Sequence, residues 1–241
     1  MNSRLSHRDE WSASLKSEMF DLMSAHFVDM SRDQFDRDLD NKHWAVLVED
    51  EASRLVGFST FALYREEYCR RTVKVLCSGD TIVDRSRPPC TALLRCWIQS
   101  VERLKEADAL EPLYWLLLVS GFRTYRFLPV FWKSFFPRQG QPIDGTSREL
   151  MNYIAARRFG SCFNPATGIV RFEKPQVLRR DLNGVPSNRL HDPHVAFFDE
   201  RNPGHESGDE LVCLTRLCRS NLTSGGLRML QAQTQLLCMG T

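Results

Sequence analysis

The segment from Leu113 to Phe136 combines aromatic rings with positive charge and contains no acidic residue. It holds nine of the chain's 25 aromatic residues, and its charged residues are Arg123, Arg126 and Lys133. Such a surface suits an amphipathic anion, either a long acyl chain joined to a phosphate-bearing carrier or an anionic lipid surface. The alternative is an ordinary packed helix whose basic side chains extend to water.

A second candidate is the polar stretch Arg85-Ser86-Arg87, which stands directly before Pro88 and Pro89. Two guanidinium groups can hold a phosphate through paired hydrogen bonds. The alternative is a solvated turn whose prolines begin the next helix. The sequence alone leaves both explanations open.

The histidines and cysteines indicate neither a metal site nor a disulfide framework. His191 and His194 lie close together in the stretch HDPH, but no further cluster of ligands stands at a matching spacing, so a surface turn is expected. The eight cysteines include no CxxC pair, and most lie in apolar runs, which is typical of reduced core thiols. We therefore expect no bound metal.

The overall composition is that of a globular domain. Of the 241 residues, 42% are hydrophobic and 26% are charged, and 32 basic residues are balanced by 30 acidic ones, so no general attraction to nucleic acid is expected. The N-terminus lacks an apolar segment behind a basic start, and no transmembrane run is found. We expect a soluble, cytoplasmic protein; its oligomeric state cannot be predicted.

Hydrophobic periodicity predicts the order of the elements. The predicted helices are Leu15–Val28, a short helix capped by Ser31, a helix around Leu94–Leu104, one opening near Pro129 and one from Thr146 to Phe159. The predicted strands are 44–48, 55–63, 72–76 with 81–83, 113–119, 169–172, 195–198 and 210–217. We expect a flexible segment over 1–14, a single domain over 15–220 with a C-terminal strand extension, and a weakly structured tail over 221–241.

This order of elements resembles the GCN5-related N-acetyltransferase (GNAT) superfamily, over roughly Leu15 to Lys174. The resemblance implies an α/β fold with a mixed central sheet and flanking helices. It implies an N-acyltransferase that moves an acyl group to an amine acceptor from its co-substrate, an acyl-CoA or acyl-carrier-protein thioester. Cys77–Val83 and Leu113–Val119 would be adjacent parallel strands that diverge around the donor, leaving a cleft lined by Tyr125.

The resemblance also implies a donor-binding loop. In the family, a loop of pattern Gln/Arg-x-x-Gly-x-Gly/Ala opens a helix whose backbone amides bind the pyrophosphate. Residues 85–90 stand at the matching position, with Pro88 and Cys90 in place of the glycines. The predicted donor-binding residues are Arg85, Ser86, Arg87 and Thr91, with Arg123 and Arg126 from the aromatic segment.

Two catalytic roles follow from the same resemblance. Tyr125 matches the position of a general acid that protonates the departing thiolate. Asp80, beside Gly79 in the strand pattern, is the candidate general base. The alternatives are a core tyrosine with a hydrated hydroxyl and an ordinary turn aspartate.

Two other functions remain open on the sequence. One is a non-catalytic module that binds acyl thioesters or lipids on the same fold, which the missing loop glycines would favour. The other is a peripheral membrane protein that docks on an anionic membrane surface through residues 113–136. The acceptor and the acyl chain length are not predicted.

Overall fold

The computed structural model describes residues 1–87, 91–106, 111–141 and 145–231. The helices are α1 (Ala13–His26), α2 (Arg32–Asp40), α3 (Ala92–Glu106), α4 (Phe122–Tyr125), α5 (Phe127–Phe131), α6 (Gly145–Phe159), α7 (Pro193–Arg201) and α8 (Ser224–Gln231). The strands are β1 (Asn2–His7), β2 (Trp44–Glu49), β3 (Leu55–Tyr68), β4 (Arg71–Val83), β5 (Leu113–Val119), β6 (Phe163–Asn164), β7 (Ile169–Val170) and β8 (Glu210–Arg216).

Within the described residues the strands form a mixed sheet in the order β1-β2-β3-β4-β5-β8-β7-β6. The pairs β1–β2, β2–β3, β5–β8, β6–β7 and β7–β8 are antiparallel. The sheet order confirms that β4 and β5 are neighbours. It also confirms the predicted fold class, α/β with a mixed central sheet and flanking helices. The chain divides into two compact units, and β3 and β4 each continue from one unit into the other.

Unit 1 comprises residues 1–63 and the described parts of 78–110 and 227–241. The helix predicted around Leu94–Leu104 is confirmed as α3, which packs on β1 and β2. Its Trp97 is 4% exposed and meets Phe61 of β3 edge to face, with ring centroids 6.4 Å apart. Ser31 caps α2 as predicted, since its side chain accepts a hydrogen bond from the backbone N–H of Gln34.

The N-terminal segment differs from the flexible stretch expected over 1–14. Residues 2–7 form β1, which pairs antiparallel with β2 from Asn2 opposite Glu49 to His7 opposite Trp44. The side chains of β1 that are buried belong to Ser3 and Ser6. This strand therefore lacks the alternation of apolar and polar residues by which a half-buried strand is recognised.

Unit 2 comprises residues 64–77 and 111–226. Its core lies between α6 and the strands β4, β5, β7 and β8. The buried residues of this core are Val73, Val75, Cys77, Leu116, Leu150, Met151, Ile154, Ala155, Phe163, Val170, Val212 and Leu214. The predicted helix ending at Phe159 is confirmed, and Gly160 follows it with φ +53, a left-handed conformation that glycine adopts without steric cost.

The predicted strand at 195–198 is wrong, because these residues lie in α7. The helix begins with Asp192, whose carboxylate accepts the backbone N–H of His194 at 3.0 Å, followed by Pro193 at the first helical position. Val195 and Phe198 are buried three residues apart on one helical face. A short apolar run can belong to either element, and here the capping residues decide for the helix.

The segment expected to be a weakly structured tail contains α8 at Ser224–Gln231. The hydroxyl of Thr223 accepts the backbone N–H of Gly226 at 3.2 Å, which satisfies a donor in the first turn. The remainder of that predicted tail, 232–241, lies outside the described residues. Across the described ranges, no helix is both long enough and apolar enough to cross a membrane.

Candidate functional site

The turn that follows β4 is ordered by Asp84. Its backbone N–H donates to the carbonyl of Val56 at 2.8 Å, and its Oδ1 accepts from the backbone N–H and the hydroxyl of Ser86 at 2.9 and 2.8 Å. These hydrogen bonds hold the pKa of Asp84 below its usual value, the backbone N–H of Ser86 contributing most. The turn thus fixes Ser86 and Arg87. Pro88, Pro89 and Cys90 lie outside the described residues.

Asp50 joins this turn to the loop between β2 and β3. Its Oδ1 accepts the backbone N–H groups of Ala52 and Arg54 at 3.0 and 3.1 Å, while its Oδ2 accepts Nη2 of Arg54 at 2.8 Å and Nη2 of Arg87 at 2.7 Å. Hydrogen bonding, led by the backbone N–H of Arg54, lowers the pKa of Asp50 to about 2. Two guanidinium groups therefore meet at one carboxylate that stays ionised at neutral pH.

Arg54 and Arg87 border an open cavity of about 450 Å³, which we call the arginine pocket. The lining residues are Arg54, Leu55, Val56, Asp84, Ser86 and Arg87. The Arg54 side chain is 71% exposed, whereas that of Arg87 is 31% exposed. A guanidinium carries five N–H donors, so both groups keep donors for an anion after pairing with Asp50.

Arg85 and Thr91 do not line the arginine pocket, and both are exposed. The carbonyl of Thr91 accepts the backbone N–H of Arg95 at 2.9 Å, so Thr91 stands at the start of α3. Of the four residues predicted for the donor-binding loop, the structure therefore brings Ser86 and Arg87 together at one cavity.

A second polar group of unit 1, the Asp80 cluster, consists of Asp38, Lys42, Thr60 and Asp80. Asp80 interrupts β4 with φ +44, a left-handed conformation that is uncommon for residues other than glycine. The Thr60 hydroxyl donates to Asp80 Oδ2 at 2.9 Å, and Lys42 Nζ lies 3.8 Å from the same oxygen. Burial, and then the charge of Asp80, raises the pKa of Asp38. The predicted base, Asp80, is thus a partly buried carboxylate whose Oδ2 is contacted by Thr60 and Lys42.

Tyr125 lies in unit 2 and is fully buried, so it does not line an open cleft. Its hydroxyl donates to the carbonyl of Pro137 at 3.0 Å, and its ring packs among Phe135, Phe197 and Phe198 at centroid distances of 5.8 to 6.0 Å. Burial raises the pKa of the phenol, which disfavours the ionised form. This geometry favours the core alternative, while the role of a general acid stays a prediction.

Arg123 and Arg126 contact protein groups of unit 2. Nη1 of Arg123 donates to the carbonyl of Leu182 at 3.1 Å, and Nε of Arg126 lies 2.9 Å from Oδ2 of Asp192, the residue that caps α7. Both arginines therefore have structural roles, which the aromatic and basic composition of residues 113–136 did not indicate.

The rings of the aromatic segment 113–136 point into unit 2. Six of its nine aromatic side chains are buried, and the other three are half-buried. Lys133 and Arg123 are exposed, and the exposed large apolar side chain in this range is Val130. The arrangement is that of a packed core with basic residues at its surface, because buried rings cannot insert into lipid.

Several residues of unit 1 were missed by the sequence analysis. Asp50 and Arg54 lie between the predicted strands 44–48 and 55–63, where the sequence shows only a charged turn. For Asp38, Lys42 and Thr60 the sequence shows no motif that would indicate a site. The spacing Asp50-x-x-x-Arg54 across a tight turn is the one local pattern that could have indicated a carboxylate saturated with hydrogen bonds.

Comparison with known proteins gives matches among solved structures, while no family model and no curated protein matches the sequence. The chain is similar to the GNAT family N-acetyltransferase YhbS of Escherichia coli, solved in complex with CoA, at 12% identity and a TM-score of 0.43, over 98% of this chain and 88% of that one. It is similar to Tetrahymena GCN5 at 12% identity and a TM-score of 0.41, over 60% and 84%.

It is also similar to a probable N-acyltransferase of Enterococcus faecalis V583, at 10% identity and a TM-score of 0.41, over 65% of this chain. The alignment spans 43% of the length of that protein. The similar structures thus include members of the GNAT superfamily, which the order of elements in this chain resembles.

Proposed function

We propose that this protein is an N-acyltransferase that uses a CoA thioester as acyl donor and an amine as acceptor. The observation that carries the proposal is the arginine pocket, which lies at the turn between β4 and α3, where the resemblance to the GNAT superfamily expects the donor's phosphates. Ser86 and Arg87 were predicted for this role, and Arg54 joins them from the loop before β3.

Asp50 supports this assignment by holding the guanidinium groups in place. Arg54 contacts Oδ2 of Asp50 through both Nε and Nη2, at 3.2 and 2.8 Å, so its position is set before any ligand binds. A side chain that is already ordered loses less conformational entropy on binding. The remaining N–H donors of Arg54 and Arg87 would contact phosphate oxygens.

The proposal is tested by thiol release from acyl-CoA substrates of increasing chain length with a panel of amines, together with calorimetric binding of CoA. Arg54→Ala should weaken CoA binding about tenfold or more, since a charged hydrogen bond contributes roughly 1.5 to 3 kcal/mol. Arg32→Ala is the matched control, because Arg32 is an exposed arginine of unit 1 paired with Asp36 at 2.9 Å. Equal CoA affinity for wild type and Arg54→Ala would contradict the proposed donor site.

A second function, a module that binds acyl thioesters without turning them over, is favoured by the buried Tyr125. With its hydroxyl donated to the Pro137 carbonyl, this residue has no exposed surface from which to deliver a proton. Thermal stabilisation by acyl-CoA, with no thiol released from the donor in the presence of any acceptor tried, would establish this alternative. Stabilisation by anionic vesicles alone would instead indicate a membrane-docking protein.

A further inference from the structure

The turn after β4 uses its backbone N–H groups within the turn itself. Ser86 donates its backbone N–H to Oδ1 of Asp84 at 2.9 Å, and Arg87 donates its own to the carbonyl of Asp84 at 3.1 Å. Residues 88 and 89 are prolines, which carry no backbone N–H. An anion that binds beside residues 86–89 therefore depends on side-chain donors.

Two guanidinium groups supply such donors, and they converge on one point. Nη2 of Arg54 and Nη2 of Arg87 donate to the same oxygen, Oδ2 of Asp50, at 2.8 and 2.7 Å. Nitrogens bonded to one oxygen lie close enough together for a single phosphate group to contact both side chains. Because a guanidinium carries five N–H donors, each arginine keeps donors for that phosphate group after its bonds to Asp50.

The carboxylate of Asp50 lies behind the guanidinium groups. Its side chain is 8% exposed, whereas those of Arg54 and Arg87 are 71% and 31% exposed. An anion that enters from solvent therefore comes nearer to the two cations than to this carboxylate. Asp84 opposes the attraction, but Nε of Arg87 lies 4.0 Å from its Oδ2 and offsets part of its charge. Since the Coulomb energy scales with the charge of the anion, a dianion gains more here than a monoanion.

A phosphomonoester is the anion that fits these features. It offers three terminal oxygens to the two guanidinium groups and carries about −1.5 to −2 charges at pH 7. Each phosphate of a pyrophosphate linkage has only two non-bridging oxygens and a single negative charge. CoA contains both groups, a pyrophosphate within its chain and a phosphomonoester on the 3′ oxygen of its ribose.

We propose that the arginine pocket binds the 3′-phosphate of the CoA donor, and that Arg54 makes the protein select CoA over dephospho-CoA, which lacks that phosphate. This inference rests on the proposed function and names the part of the donor that the pocket recognises. Arg54 and Arg87 donate to the terminal oxygens of the phosphomonoester, and Asp50 holds both guanidinium groups in place. The pyrophosphate does not contact Arg54.

The test compares the affinities of CoA and dephospho-CoA by calorimetry. Wild type should bind CoA about tenfold more tightly than dephospho-CoA, the size of effect expected for a charged hydrogen bond. Arg54→Ala should weaken CoA binding about tenfold and dephospho-CoA binding less than twofold. Arg54→Lys keeps the charge but loses the paired donors, so it should recover part of the selectivity. Arg32→Ala, at an exposed arginine paired with Asp36, should bind both ligands as wild type does.

Inorganic phosphate, added at constant ionic strength, distinguishes the 3′-phosphate of CoA from a phosphomonoester on another molecule, such as the acceptor. If the pocket holds the 3′-phosphate, inorganic phosphate should compete with CoA and leave the affinity for dephospho-CoA unchanged. Phosphate that binds together with CoA, with an affinity that depends on Arg54, would overturn the assignment of the pocket to the donor.

Equal losses of CoA and dephospho-CoA affinity in Arg54→Ala would assign the pocket to the pyrophosphate. That result would overturn this inference while the proposed donor site remained valid. Equal affinities of wild type for the two ligands would overturn the inference without recourse to any variant. If wild type binds neither ligand, the proposed function fails as well.

Discussion

Tyr125→Phe separates packing from proton transfer more cleanly than any other single change in this chain. The substitution keeps the ring and its contacts with Phe135, Phe197 and Phe198 but removes the hydroxyl. The carbonyl of Pro137, which accepts that hydroxyl at 3.0 Å, would then lose a buried donor. A buried group left without its partner costs about 1 to 3 kcal/mol, so we expect a loss of stability of that size.

Tyr153→Phe is the matched control, because its hydroxyl also donates to a backbone carbonyl, that of Glu67 at 2.7 Å, but at an exposed site. Water can replace this donor, so the control should lose less than about 1 kcal/mol. Urea denaturation measures both losses, and Tyr125→Ala adds the cavity cost, for a total of about 3 to 5 kcal/mol.

The same variant is assayed for thiol release at saturating acyl-CoA. If Tyr125 is a core residue, Tyr125→Phe retains turnover within about twofold to threefold of wild type. A fall of a hundredfold or more, measured where the variant is fully folded and with donor affinity unchanged, would refute this reasoning and assign Tyr125 to general-acid catalysis.

Three further outcomes are expected. Asp192→Ala removes the cap of α7 and the partner of Arg126, and should cost about 1 kcal/mol in urea denaturation, whereas no change would show that the cap is dispensable. The pKa of Asp50 is lowered from 3.8 to about 2, so its contribution to stability is complete above pH 3.8 and disappears as the pH falls to about 2; Asp50→Asn should abolish that part of the acid dependence. Iodoacetamide should modify exposed Cys69 in the folded protein and buried Cys213, whose thiol pKa is raised by burial, only after unfolding; early modification of Cys213 would contradict its placement.

Local signals predicted most of the helices and strands of unit 1. Ser31 at the start of α2 and the apolar spacing of α3 each specify one element from neighbouring residues, and the structure agrees with both. β1 could not be predicted this way, since its pairing partner is β2 and Asn2 lies opposite Glu49. A polar edge strand is specified by that long-range pairing and not by its own composition.

The candidate site shows the same division between local and long-range information. The polar turn at Ser86 and Arg87 was visible in the sequence, but its partner Asp50 is 37 residues away from Arg87. The sequence indicated only that the Arg87 guanidinium could hold a phosphate, whereas in the structure it donates to the carboxylate of Asp50. The arginine pocket is therefore closer to neutral than the sequence implied. An anion bound there must share the guanidinium groups of Arg54 and Arg87 with Asp50.

A structural role for Tyr125 remains compatible with acyl transfer, because the leaving group is a thiolate. Ordinary alkyl thiols have a pKa of about 8.5, so the sulfur of a thioester can depart as an anion near neutral pH without full protonation. The nitrogen of the acceptor has the more demanding proton transfer, since an ammonium with a pKa of about 10 must lose its proton before it can attack. A catalyst built on this chain therefore depends more on the base than on the acid. The predicted base is Asp80, whose Oδ2 is contacted by the Thr60 hydroxyl and the Lys42 ammonium.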